Sequence, residues 1–204
     1  YIALSFCNSY SNATYVYHDE SMGIDVHKLV MFNTMFETYD YVTLLEDDMV
    51  PALDYIRFHQ WASEKYKLDT SVLEINAYQK SGEEYLTPEY RYGVIRTEHP
   101  SCWGSSFWKD RWDKVIGDES NYREWAKTKV NGMFDHYWMA YLRKHELQVI
   151  QPRLARVQNL VGDVTTDERG ENWRDPSEQD MVGFNPVGAW NLPEHDPEES
   201  EWHE

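Results

Sequence analysis

The sequence predicts an α/β domain built on a mixed, mostly parallel sheet with helices on both faces. Three observations carry that expectation. The chain has 204 residues, 41% of them hydrophobic, which is enough for one full-size core. Strand-type and helix-type segments alternate over most of its length, the order expected when helices cross between strands of one sheet. Residues 41–45 (YVTLL) form a short continuous apolar run, the form of a strand covered on both faces.

The elements follow in order. YIALSF is apolar and β-prone, and ATYVYHDE is a second strand candidate. DVHKLVMFNTMFETY carries Val26, Leu29, Val30, Phe32, Met35 and Phe36 at mostly helical spacing. The strand YVTLL follows. After it Pro51 breaks the run, and ALDYIRFHQWASEKY reads as a helix. SVLEINAY is the next strand, and KSGEEYLTPEYRYGV is a loop or hairpin. SSFWKDRWDKVIG reads as a helix stopped by Gly117, with Trp108 and Trp112 four apart and directed to the core. GMFDHYWMAYLRKHEL is another helix, with basic residues in its last turn, where the helix dipole favours them. QVIQP is a short strand. From Gly162 onward the chain turns acidic and loses periodicity, so residues 171–204 read as an acidic C-terminal extension of a domain spanning 1–170. The chain starts in a strand-like segment without Met, which leaves room for a preceding βα unit.

The formal net charge is −17, an excess that repels phosphate backbones and disfavours nucleic acid as a partner. No apolar run reaches transmembrane length and no signal-peptide pattern is present. Cys7 and Cys102 do not make a disulfide framework and read as free thiols. They favour the cytoplasm slightly over a secretory lumen, against which stands one glycosylation sequon at Asn12.

The stretch YVTLLEDDMVP poses the chemical question. Glu46, Asp47 and Asp48 are adjacent and repel one another at the end of an apolar strand. A solvated turn ahead of a helix would tolerate them. A hard divalent cation such as Mn²⁺ or Mg²⁺ would require them, because it takes oxygen ligands and completes its shell with phosphate and water. In open α/β sheets such groups collect at the carboxyl ends of strands.

LLEDDMVPALDYIRF resembles the acidic-motif segment of metal-dependent glycosyltransferases with the GT-A fold, and of the N-acetylglucosaminyltransferase I family in particular. HKLVMFNTMF resembles the helix before that motif, and HPSCWGSSFW the segment that opens the acceptor side. MFDHYWMAYLRKHELQVIQPRLARVQNLVG resembles a later helix, strand and loop of the same family. The likeness runs over roughly residues 20–170. It implies a GT-A catalytic domain that moves a sugar from a nucleotide diphosphate sugar, UDP-linked, to an acceptor hydroxyl with inversion. Asp48 would ligate the metal. Glu46 and Asp47 would hold the ribose and the metal's water shell, and His27 would lie against the uracil ring. Asp135 would be the catalytic base. Asn159 stands where the fold often has a second, histidine ligand. The segment GDVTTDERGENW resembles a donor-closing loop, whose Thr165, Thr166 and Arg169 would meet phosphates.

Bland readings stand beside these. His27 also suits a helix surface, and Asp135 a first-turn acid favoured by the dipole. Trp103 and Gly104 suit an acceptor pocket or simple core packing. Two rival functions share the acidic site: a nucleotidyltransferase, and a non-catalytic glycan- or nucleotide-binding module.

Overall fold

A computed structural model describes residues 13–46, 49–79, 88–101, 103–115, 134–159 and 201–204, with backbone alone for Pro88, Glu89, Phe134, Asp135 and Asn159. Within them the elements, numbered in chain order, are α1 (Ile24–Phe36), β1 (Tyr41–Thr43), β2 (Met49–Pro51), α2 (Tyr55–Lys65) and β3 (Val72–Asn76). They continue with α3 (Pro88–Arg91), β4 (Val94–Thr97), β5 (Ser105–Trp108), α4 (Lys109–Val115), α5 (Phe134–Lys144), β6 (Gln148–Pro152) and β7 (Val157–Asn159).

Five strands form one sheet in the order β1-β5-β3-β6-β4, and β2 and β7 form a separate ribbon. Only the β3–β6 neighbours are parallel; β1–β5, β3–β5 and β4–β6 are antiparallel. The expectation of a mostly parallel sheet is therefore corrected for the described strands. The reason lies in SSFW. The spacing of Trp108 and Trp112 suggested a helix there, but Ser105–Trp108 is a strand, buried at every position, that inserts antiparallel between β1 and β3. Even so, β1, β3 and β6 all run in one direction, because β1 and β3 are each antiparallel to the strand between them.

Two apolar clusters cover the two faces. On one, Leu29, Phe32 and Phe36 of α1, Trp112 of α4 and Trp138 and Leu142 of α5 meet Val42, Phe107 and Val149 of the sheet. On the other, Phe58 and Ala62 of α2 meet Ile75, Val94, Trp108 and Ile150, with Trp202 closing the cluster. Each large side chain fully buried in this way contributes about 1.5–3 kcal/mol. Trp108 and Trp112, expected on one helix face, are both core but lie in different clusters, since one ends a strand and the other belongs to a helix. α1, α2, α5, β1, β3 and β6 form where periodicity put them. ATYVYHDE does not form a strand over its described residues: Tyr15, Val16 and Tyr17 are exposed and have no sheet neighbour. YIALSF lies outside the described residues, as does Gly117. No helix among the described residues is long and apolar enough to cross a membrane.

Candidate functional site

The carboxyl ends of β1, β3 and β6 converge on one end of the sheet. β1 leads through Leu44, whose N–H still donates to the carbonyl of Ser105 at 2.8 Å, to Glu46. Beyond β3, Ala77 donates to the carbonyl of Gly104 at 3.0 Å and accepts from the N–H of Arg156 at 2.7 Å. Ala52 donates to the carbonyl of Arg156 at 2.8 Å. These bonds stitch the β2–β7 ribbon onto the carboxyl end of β3. Within the ribbon Met49 pairs with Asn159, Val50 with Gln158 and Pro51 with Val157.

Gly104 makes the close approach possible. Its φ of +66° is left-handed, and a Cβ there would stand 2.7 Å from Cβ of Ala77. Trp103 beside it is half-buried and edge-on to Tyr78, with ring centroids 4.6 Å apart. The buried guanidinium of Arg156 anchors the ribbon from below, giving Nε to Oδ2 of Asp54 at 3.0 Å. Burial lowers the Arg156 pKa, and the Asp54 carboxylate works against that shift.

Glu46 is not left to repel its neighbours. Lys28 Nζ lies 2.7 Å from its Oε1, and the two side chains are only 9% and 18% exposed. This pair ties the start of the acidic triplet to α1. His27, the preceding residue on α1, lines a cleft of about 420 Å³ together with Val16, His18, Asp19, Glu20 and Ile24. The rings of His18 and His27 stand edge to face at 5.5 Å.

α5 points its first turn to the same end of the molecule. Val72 lies beside Gln148 at the start of β6. Two residues further along β3, Glu74 accepts a hydrogen bond from Trp138 Nε1 at 2.6 Å. Leu142, a turn later in α5, sits back toward the β6 start, where its carbonyl accepts from Leu147 N–H at 3.0 Å. The helix therefore runs antiparallel to β3, and Asp135, its second residue, belongs to the turn nearest the carboxyl ends.

Of the residues singled out in the sequence, His27 and Glu46 are thus linked through neighbouring positions on α1, and the backbone of Asn159 through the ribbon to Met49, the residue after Asp48. Asp47, Asp48, Thr165, Thr166 and Arg169, and the side chains of Asp135 and Asn159, lie outside the described residues. Among the described residues no three His, Cys, Asp or Glu side chains converge as a metal site. Sequence reasoning missed Lys28 and Arg156. A lone Lys on an apolar helix and an Arg between apolar neighbours gave no spacing signal; only the fold pairs them with acids.

No protein-family model matches the chain, and no curated protein matches it.

Proposed function

We propose that the chain is a metal-dependent glycosyltransferase of the GT-A type, which moves a sugar from a UDP-linked donor to an acceptor hydroxyl with inversion. One observation carries the reading. The strand that begins directly after Glu46-Asp47-Asp48 pairs, at Met49, with Asn159. The two segments from which the metal ligands are drawn, far apart in sequence, are thus neighbours at the carboxyl end of the sheet.

Asp48 and Asn159 offer oxygen donors only, which suits Mn²⁺ or Mg²⁺. Bound there, such a cation offsets the negative charge that grows on the diphosphate leaving group. Glu46, steadied by Lys28, and Asp47 orient the ribose side of the donor. His27 lies against the base, in the cleft it lines. Asp135 accepts the proton of the acceptor hydroxyl as the new glycosidic bond forms. Thr165 and Arg169 are assigned to the phosphates by resemblance alone.

One observation favours a second reading. Lys28 neutralises Glu46 much as it would in a purely structural acidic turn on a non-catalytic binding module. Turnover separates the two. The purified chain is incubated with UDP-, GDP- and dTDP-sugars and Mn²⁺, and nucleotide release is followed by chromatography. Release of UDP from one donor, abolished by chelator, supports the transferase. Metal-dependent binding without release supports the module, and pyrophosphate release from a nucleoside triphosphate supports a nucleotidyltransferase.

A further inference from the structure

β4 is the last strand of the sheet, and its outer edge is met by residues 201–204 alone among the described residues. His203 forms a parallel bridge with Gly93, accepts from the N–H of Val94 at 2.8 Å and donates its own N–H to the carbonyl of Tyr92 at 3.1 Å. Trp202, 5% exposed, fills a slot between Trp61, Phe58 and Tyr92, with ring centroids at 5.4, 5.2 and 5.0 Å. The Arg156 guanidinium lies 4.9 Å from its ring. Glu204 accepts from Tyr66 OH at 2.6 Å and from Arg96 Nη2 at 3.1 Å. Trp202 and Glu204 are two apart, so an extended backbone turns both to the same side while His203 faces water.

We propose that this edge and slot form a strand-addition site for a short acidic peptide of the pattern Trp-x-Glu, which the chain fills in cis with its own residues 201–204. Main-chain pairing along the edge supplies affinity, and pockets for alternate side chains supply selectivity. The receiving groups have supports of their own. Arg96 is also held by Asp69 at 2.9 Å, and Arg156 by Asp54 at 3.0 Å. Both cations therefore keep an acid partner when the segment leaves, which lowers the cost of ordering them again on binding. Glu204 meets a cation and a phenol at the slot's end, which makes the acid part of the recognised pattern. The site does not depend on any enzymatic activity of the chain.

The test uses a chain ending at residue 200 and a fluorescent peptide covering residues 195–204, with anisotropy as the readout. The expected result is saturable 1:1 binding, weakened more than tenfold by Trp202→Ala in the peptide and clearly weakened by Arg96→Ala in the chain. A folded shortened chain that binds no peptide, or binds the Trp202→Ala peptide equally, overturns the proposal. A second form guards against misfolding: the 204-residue chain carries a protease site immediately before Glu201 and is cut after folding. Retention of the cut segment through gel filtration, with displacement by excess peptide, supports the site. Unfolding on cleavage that excess peptide does not reverse, or release without rebinding, shows that the segment belongs to the core and overturns it.

Discussion

Met49 faces Asn159 across the β2–β7 ribbon, and Pro51 faces Val157 at its other end. The ribbon exists because Arg156 is fixed at both levels. Its backbone bonds Ala77 and Ala52, and its side chain reaches Asp54. Met49, the residue that follows the acidic triplet in sequence, is thereby tied to the sheet, the kind of support a precise oxygen site needs.

Lys28 and Glu46 are coupled. Lys28→Met strands a carboxylate that is largely shielded from water, and a destabilisation of about 1–3 kcal/mol is expected. A solvent-exposed pair would give only ~0–1 kcal/mol. Glu46→Gln should cost less than Lys28→Met, and the double variant should recover part of the loss. A urea-denaturation double-mutant cycle reads the coupling; strict additivity would show that the pair is idle.

His59 makes stability pH-dependent. Its ring is buried on α2, with Nδ1 2.9 Å from Ser106 Oγ and no partner for Nε2 among the described residues. Burial pushes its pKa down from 6.5 to about 3. Between those values the unfolded chain binds one more proton than the folded chain. The contribution is therefore complete above pH 6.5 and is lost as pH falls, at about 1.4 kcal/mol per pH unit. Unfolding free energies at pH 7, 6 and 5 should show this slope in the wild type and lose most of it in His59→Gln. Equal slopes in both proteins would assign the pH dependence to other groups.

Gly104→Ala should be costly. The left-handed φ penalises any Cβ by roughly 1–2 kcal/mol, and this Cβ would also meet Ala77 at 2.7 Å. A loss of about 2–4 kcal/mol is expected once overpacking is included. It should appear as a lower urea midpoint at unchanged slope. A near-neutral result would mean that the turn can move away from β3.

The sequence carried the helices and the strands whose pattern is local. α1, α2 and α5 show apolar spacing over three turns, and β3 and β6 are compact apolar runs. SSFW was misread because four consecutive buried residues carry no period. Its strand state comes from neighbours on both sides, Tyr41–Thr43 and Glu74–Asn76. The open sequence ATYVYHDE has strand propensity but no strand to pair with among the described residues, and propensity alone does not make a ladder. At the candidate site, the acid cluster was legible because like charges in a row need a reason. Its partner Lys28, the Arg156 anchor and the Trp202 slot were not, since each depends on contacts between distant segments. Tyr66 to Glu204 is one of these, a 2.6 Å hydrogen bond between residues 138 positions apart.

The most direct test of the central claim is calorimetric titration of a UDP-sugar panel into the wild type and Asp48→Ala, with Mn²⁺ and with chelator. Mn²⁺-dependent binding of one donor to the wild type is expected. Asp48→Ala should bind that donor at least about 100-fold more weakly, beyond the usual loss for residues that only support a metal ligand, while its thermal midpoint stays unchanged. Binding of no donor by the folded wild type, or equal binding by Asp48→Ala, would contradict the account and return Glu46, Asp47 and Asp48 to a structural turn.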